Sequence, residues 1–238
     1  AMAGSRKTFV LVHGAWHGGW CWRRVSDLLE AKGHKVFTPT LTGLGERSHL
    51  MRAGIDVSTH ATDVVNLMKW ERLTDVVLCG HSYGDMVVSL VAEQMAEKIG
   101  SIVFLDAFVP ENGDSMFELT NQVVRDSLMA ATARGDISVP GRPAAAFLVN
   151  EKDQAWVDSL TGPQPIGTMI EKLKLTGARE KIGKKSYIRA GAYPNPGFDK
   201  ALNRVKADKS WRTYDVPCGH DVMVDMPERL AEILLEVA

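Results

Sequence analysis

A serine flanked by two glycines is the most informative chemical pattern in this chain. The stretch GHSYG places Ser82 between Gly80 and Gly84, after the apolar run DVVLC and before the helical run MVVSLVAEQ. A strand that turns directly into a helix at one residue crowds the neighbouring positions, and glycines relieve that crowding. The pattern predicts a serine nucleophile exposed at the tip of a sheet. A serine that only caps the helix is the alternative interpretation.

A serine hydroxyl needs a base to accept its proton and an acid to orient that base. Among seven histidines, His220 lies in PCGHDVMVDMPERL, between the last predicted strand and the closing helix. The chain order serine, acid, histidine requires the base at this point, although a surface-loop histidine stays open. His81 adjoins the serine and is expected to pack. His13 and His17 are four residues apart, but the surrounding glycines argue against a helix and against a metal site.

The tetrahedral intermediate of acyl transfer needs backbone N–H donors. Tyr83 directly follows the nucleophile and is the first expected donor. The glycine-rich turn HGAWHGGW offers Ala15 or Trp16 as the second. The same turn also connects a strand to a helix, and the two roles are compatible because the turn aims the amides.

The elements that must position these groups alternate between strand and helix. TFVLVHG, KVFTP, DVVLCG and SIVFLDAF are predicted strands, and helices are predicted at WRRVSDLLEAKGH, at residues 57–71 and at MVVSLVAEQMAEKIG. KKSYIRAG and SWRTYDV add two more strands before a closing helix at PERLAEILLEV. This alternation predicts an α/β fold with a mostly parallel sheet flanked by helices. We expect a core of residues 6–110 and 182–238, with a helical lid inserted at 111–181 over the strand ends.

Four motifs in this chain resemble those of a known family: FVLVHGAWHGGWCW, TPTLTGLGERSHL, GHSYG and FLDAFVPENG. They are similar to bacterial pyrethroid hydrolases and related small carboxylesterases, and through these to plant methylesterases and hydroxynitrile lyases. The resemblance covers nearly the whole chain and is weakest in residues 111–181. It implies an α/β-hydrolase fold, no cofactor, and hydrolysis of bulky apolar carboxylic esters, such as pyrethroid-like or aryl esters. A carbamate-cleaving relative shares the TGLGERSHL type of loop, so carbamates belong to the expected substrates.

The sequence leaves a choice for the acid of the triad. Plant relatives carry an aspartate shortly after the strand that corresponds to KKSYIRAG, but AYPNPGF contains no carboxylate, and Asp199 is the nearest one beyond it. Asp106 ends the apolar strand SIVFLD, where a buried charge needs a partner such as a histidine. We therefore predict a triad of Ser82, His220 and Asp106, with Asp199 in reserve. A loop cap at Asp106 stays open.

Two other aspartates occupy unusual positions. Asp85 stands where relatives usually have glycine, and its charge would either favour the helix dipole or oppose a nearby oxyanion. Asp221 follows His220 at the position where plant hydroxynitrile lyases have a lysine, and its opposite charge argues against lyase activity. A receptor-like ligand-binding protein with little turnover is the remaining alternative.

Aromatic residues near these motifs are candidates for an apolar substrate pocket, although each is also a common core residue. The candidates are Trp16, Trp20, Phe108, Phe117 and Trp156.

Composition limits the remaining classes of function. The chain has 238 residues, of which 45% are hydrophobic and 24% charged, with a net charge of −1. This balance predicts one domain and argues against nucleic-acid or membrane partners, leaving a small-molecule ester as the expected partner. The spacing of the three cysteines matches no zinc or redox motif. Residues 1–7 lack the apolar core of a secretory signal. From these two observations we expect a cytoplasmic location. A homodimer is left open.

Overall fold

The computed structural model describes residues 4–238. Residues 1–3, which belong to the segment 1–7 that lacks the apolar core of a secretory signal, lie outside the described residues. Strands and helices alternate over most of the chain. In chain order they are β1 (Thr8–Val12), α1 (Arg23–Ala31), β2 (Lys35–Phe37), α2 (Val57–Trp70), β3 (Val76–His81), α3 (Gly84–Met95), β4 (Ile99–Leu105), α4 (Met116–Leu119), α5 (Gln122–Ala133), β5 (Ser138–Val139), α6 (Glu151–Leu160), β6 (Gln164–Pro165), α7 (Gly167–Ile170), β7 (Lys184–Ala190), α8 (Pro196–Lys206), β8 (Trp211–Val216), α9 (Val222–Asp225) and α10 (Pro227–Val237).

Six strands form one sheet in the order β2-β1-β3-β4-β7-β8, and every neighbouring pair is parallel. All six residues of β3 are buried, because helices cover both faces of a parallel sheet. The predicted α/β fold with a mostly parallel sheet and flanking helices is confirmed. No helix within residues 4–238 combines the length and apolar character that crossing a bilayer requires.

Helix α8 is absent from the sequence-based prediction. Its start carries two recognisable signals, since Pro196 occupies the first turn and the side chain of Asn195 accepts a hydrogen bond from the Phe198 N–H. Both features are typical of helix N-termini. The segment AYPNPGF therefore ends in a helix, on which Asp199 lies in the first turn.

Residues 111–181, called the insertion below, contain α4 to α7 and a short antiparallel pair of strands, β5 and β6. Within the described residues these two strands pair only with each other and do not join the large sheet. The insertion is attached to the core by a bidentate ion pair in which Arg24 on α1 donates to Asp153 on α6 at 2.8 and 3.0 Å. Next to it, Trp20 meets Trp156 edge to face at 5.4 Å between ring centroids.

Candidate active site

Ser82 occupies a sharp turn between β3 and α3. Its φ of 52° lies in the left-handed region, which a residue with a side chain adopts only when its surroundings enforce it. A Cβ on Gly80 would lie 2.5 Å from the carbonyl oxygen of Gly84, and a Cβ on Gly84 would lie 2.8 Å from that of Val12. Only glycine fits at either position, so the two flanking glycines permit the turn that brings the Ser82 side chain to a cavity at the sheet edge.

His220 follows β8 and lines the same cavity as Ser82. Its Nδ1–H donates to Asp106 Oδ2 at 2.6 Å, which leaves Nε2 as the nitrogen able to accept a proton. The imidazole stacks on Tyr193 with a centroid distance of 4.8 Å and also contacts Phe147 at 5.4 Å. The acid and the aromatic rings together fix the orientation of the base.

Asp106 is fully buried at the end of β4, with a φ of 42°. Besides the histidine, its Oδ1 accepts from Arg189 Nη1 at 2.8 Å and from the Ala190 N–H at 2.9 Å. Asp199 is 60% exposed and pairs with Arg189 at 3.0 Å. The structure therefore brings Asp106, and not Asp199, to His220. Sequence reasoning missed Arg189, although an arginine inside an apolar strand signals a buried partner.

The cavity between Ser82 and His220 is small. Its volume is about 50 Å³. No hydrogen bond within residues 4–238 joins the Ser82 hydroxyl to His220, and such bonds often tighten only when substrate is present. Pockets that hold a drug-sized ligand measure roughly 300–1,000 Å³, so a bulky substrate requires the lining residues to move apart.

The turn after β1 aims the Ala15 amide. The Gly14 carbonyl, which belongs to the same peptide unit as the Ala15 N–H, accepts a hydrogen bond from His13 Nδ1 at 2.8 Å. Burial lowers the pKa of His13 to about 3, so its ring is neutral, and its Nε2 accepts from the Leu41 N–H at 3.0 Å. Because the C=O and N–H of a trans peptide point in opposite directions, the Ala15 N–H points away from His13.

The next peptide unit distinguishes the two oxyanion candidates of this turn. The Trp16 N–H donates to Gln164 Oε1 at 3.0 Å, so it is already occupied. In the part of the chain that the structure describes, the N–H groups of Ala15 and Tyr83 have no protein acceptor. Ala15 lines the cavity beside the serine. The N–H groups of Ala15 and Tyr83 are therefore available to a substrate oxygen. The N–H of Trp16 is not, because Gln164 already accepts it.

A second histidine–aspartate pair lies behind the first. His17 Nε2 donates to Asp221 Oδ2 at 2.7 Å, and both side chains are buried. Burial alone would lower the pKa of His17 and raise that of Asp221, but the mutual attraction outweighs burial and shifts both in the opposite direction. His81 Nε2 also contributes here by donating to the His220 carbonyl at 2.8 Å. Sequence reasoning missed this pair, for which an aspartate next to the apolar run VMV was the available signal.

Asp85 lies in the first turn of α3, where it is fully buried. The N–H groups of Met86 and Phe108 lie near its carboxyl, yet neither oxygen has a hydrogen bond of good geometry within residues 4–238. Burial raises the pKa of Asp85 well above its usual value, and the two nearby N–H groups offset this only in part. Burial thus favours the neutral form of this carboxyl, whereas each sequence-based interpretation assumed a negative charge.

Two of the five predicted pocket aromatics line the cavity, Trp16 and Phe108. Trp20 instead stacks on His17 at 5.4 Å and lines a separate cavity of about 650 Å³ that contains neither Ser82 nor His220.

Trp156 packs against Trp20 and under the Arg24 guanidinium, which lies 5.1 Å from its ring centroid. Phe117 packs on the core, whereas its neighbour Met116 lines the cavity, because successive helical residues point about 100° apart. These contacts attach the insertion to the core. None of the three residues Trp20, Phe117 and Trp156 lines the cavity for which they were predicted. The lining residues that sequence reasoning missed include Arg142 and Phe198.

Known proteins resemble this chain in sequence and in fold. The profile described as "Alpha/beta hydrolase family" matches residues 9–233. A carbendazim hydrolyzing esterase from Nocardioides sp. is 41% identical over 95% of this chain and 97% of its own length. An extracellular alpha/beta-hydrolase from a Paenibacillus species superimposes with a TM-score of 0.84 at 24% identity, covering 98% of this chain and 99% of its own. A pyrethroid hydrolase from Sphingobium faniae superimposes with a TM-score of 0.69 at 22% identity, covering 98% and 97%.

Proposed function

The chain belongs to the alpha/beta hydrolase family, and on this premise we propose that it is a serine esterase that cleaves small carboxylic esters through an acyl-enzyme. The observation that carries the proposal is the 2.6 Å contact between His220 and Asp106 beside a cavity that Ser82 also lines. Esterase activity in the relative of 41% identity supports the same class of reaction.

The first step is attack of Ser82 on the ester carbonyl. Nε2 of His220 accepts the hydroxyl proton while its Nδ1–H stays bound to Asp106, whose charge stabilises the imidazolium that forms. Arg189 and the Ala190 N–H hold the other carboxylate oxygen, so Asp106 keeps one orientation throughout the cycle. His220 then returns the proton to the departing alcohol.

The N–H groups of Ala15 and Tyr83 stabilise the negative charge that develops on the carbonyl oxygen. Their lack of protein acceptors and the position of Ala15 at the cavity support this assignment. Loss of one such donor typically costs about 3 kcal/mol in the transition state. In the second half of the reaction, His220 activates a water that releases the acid from Ser82.

The expected substrates are neutral esters with an apolar or aryl group. Apolar side chains from the core and the insertion line most of the cavity, among them Phe108, Met116 and Phe147. Residues 111–181 act as a lid that moves to admit such a substrate, since about 50 Å³ does not accommodate one. Carbamates are a second candidate class, favoured by the identity of 41% to a carbendazim hydrolyzing esterase.

Hydroxynitrile lyase activity is not supported by the environment of Asp221. This residue is fully buried, pairs with His17 at 2.7 Å and does not line the cavity. A cation at this position would be needed to hold cyanide beside the base. The buried carboxylate supplies the opposite charge.

The proposal is tested with 4-nitrophenyl acetate by following release of nitrophenol in pre-steady-state and steady-state kinetics. We expect a burst followed by turnover in the wild-type protein, and a loss of kcat of about 10⁴-fold or more in Ser82→Ala. Ser89→Ala is the matched control, because Ser89 is a buried serine of the same region whose hydroxyl donates to the Asp85 carbonyl. A receptor-like protein would show neither burst nor turnover, and comparable rates in Ser82→Ala and wild type would refute a serine esterase.

A further inference from the structure

Trp16, in the turn after β1, is held by the insertion at three polar atoms. Its backbone N–H donates to Gln164 Oε1 at 3.0 Å, and its carbonyl accepts from the Gly162 N–H at 2.9 Å. Its indole N–H donates to the Val139 carbonyl at 3.2 Å. Trp16 has a φ of 65°, a conformation that a tryptophan keeps only under such restraint.

Gln164 is fully buried on β6 and its amide has a defined orientation. Its Nε2 donates to Thr168 Oγ1 at 2.8 Å, and that hydroxyl in turn donates to the Pro165 carbonyl at 2.6 Å. The hydroxyl therefore has to accept from the glutamine, which sets the amide nitrogen on that side. Gln164 Oε1 is left to face the Trp16 N–H.

The peptide unit between Ala15 and Trp16 is thus fixed at both polar ends. His17 Nδ1 donates to the Ala15 carbonyl at 2.8 Å from the core side, and Gln164 accepts the Trp16 N–H from the insertion side. The preceding peptide unit is held by His13 at the Gly14 carbonyl. The direction of the Ala15 N–H depends on both peptide planes. Of the hydrogen bonds that the described residues make to these two peptide units, the one with Gln164 alone comes from outside the core.

We propose that Gln164 is a positioning residue that makes the oxyanion donor Ala15 depend on docking of the insertion. When the insertion moves away to admit substrate, Gln164 leaves with it, and the Ala15–Trp16 peptide loses its restraint on one side. When the insertion closes over the bound ester, the amide is aimed again. This inference rests on the proposed esterase function and adds that closure assembles the oxyanion hole.

The test replaces Gln164 by methionine, which has nearly the same volume but offers the Trp16 N–H only a weak sulfur acceptor in place of the amide oxygen. With 4-nitrophenyl acetate, we expect kcat of Gln164→Met to fall at least about tenfold and KM to change little, since a misdirected donor affects mainly the transition state. Affinity for an aryl trifluoromethyl ketone, whose adduct with Ser82 carries an oxyanion, falls by the same factor.

Two further variants separate positioning from a general loss of structure. Gln164→Glu restores most of kcat, because burial favours the neutral acid, whose carbonyl oxygen accepts from Trp16 and whose hydroxyl donates to Thr168. Asp153→Asn weakens the ion pair with Arg24, which also attaches the insertion to the core but makes no hydrogen bond to Ala15 or Trp16. We expect Asp153→Asn to keep its kcat and its inhibitor affinity.

The outcomes distinguish this proposal from the esterase proposal. Reaction of the wild-type protein with a fluorophosphonate that labels Ser82, combined with unchanged kcat and inhibitor affinity in Gln164→Met, would overturn the role of Gln164 alone. Equal losses in Gln164→Met and Asp153→Asn would also overturn it, because any loosening of the insertion would then suffice. A wild-type Ser82 inert to the fluorophosphonate would overturn both proposals.

Discussion

Two histidine–aspartate pairs lie near each other at the carboxyl ends of the strands, and they differ in what each imidazole can reach. The ring of His220, bound to Asp106, lines the cavity together with Ser82. The ring of His17, bound to Asp221, is stacked against Trp20 and uses its second nitrogen on a backbone carbonyl. The same two residue types therefore serve different purposes. Access of one ring nitrogen to the cavity decides which pair can exchange protons with a substrate.

The two carboxylates differ as well. Asp106 accepts from Arg189 and the Ala190 N–H in addition to its histidine. Asp221 Oδ1 has no hydrogen-bond partner in the described chain, so this carboxylate depends on His17. Removing the histidine should therefore have different consequences in the two pairs. If His220 is removed, Asp106 keeps its hydrogen bonds from Arg189 and Ala190. If His17 is removed, Asp221 becomes a buried carboxylate without its hydrogen-bond partner.

The largest effect is expected from replacing the base. His220→Gln should lower kcat for 4-nitrophenyl acetate by about 10⁴-fold or more, because His220 is the one histidine or carboxylate among the described residues that line the cavity with Ser82. The free energy of unfolding should change little, since Asp106 retains Arg189 and Ala190. Steady-state kinetics and urea denaturation measure the two quantities. A variant that kept a tenth of the wild-type kcat would assign proton transfer to another residue.

The next effect compares the two aspartates that the sequence left open. Asp106→Asn should lower kcat by about 10⁴-fold, because an asparagine can hold the imidazole in the wrong tautomer and cannot stabilise the imidazolium. Asp199→Asn is the matched control, and its kcat should stay near the wild-type value, since Asp199 is 60% exposed and contacts only Arg189 among these groups. Equal losses in both variants would mean that the shared arginine matters more than the acid.

A smaller effect, on stability, is expected from the second pair. His17→Phe should lower the free energy of unfolding by about 3–5 kcal/mol, because it leaves Asp221 buried without its partner. The double variant His17→Phe/Asp221→Leu should recover much of that loss, since an apolar pair needs no compensation. Urea denaturation of the two variants and the wild type gives the comparison. If the double variant were no more stable than His17→Phe, loss of the Ala15 contact would be the cause.

The sequence predicted what depends on local pattern. Ser82 could be predicted because its glycines and flanking apolar runs are contiguous, and the parallel sheet followed from alternating strands and helices. The sequence favoured Asp106 with Asp199 in reserve, but it could not decide between them, because the answer depends on where Arg189 and His220 lie in space. His17 and Asp221 are 204 positions apart in the chain, and the aspartate next to the apolar run VMV does not indicate which residue it pairs with.

The same reasoning applies to the pocket. Hydrophobicity made Trp20 and Trp156 candidates for the substrate pocket, but which surface these partly buried rings cover depends on how the insertion packs against α1. Both sequence-based interpretations of Asp85 assumed a charge, whereas burial in the folded protein raises its pKa and favours the neutral form. Local spacing thus predicts the secondary-structure elements and the sharp turn at Ser82. Contacts between distant segments determine protonation and the lining of the site.

The smallest effect is expected from replacing Asp85. Unlike Asp106 and Asp221, this buried carboxyl has no histidine as its partner. Because its pKa is raised in the folded protein, the folded state binds more protons than the unfolded state above the usual aspartate pKa of about 3.9. Its contribution to stability is therefore complete below that pH and declines as pH rises towards the folded-state pKa. Asp85→Asn should lack this decline, so its stability relative to wild type should increase from about pH 4 towards neutrality in urea denaturation. Because burial favours the neutral carboxyl, removing it should leave kcat nearly unchanged. A large increase in kcat would mean instead that Asp85 carries a charge that opposes the oxyanion.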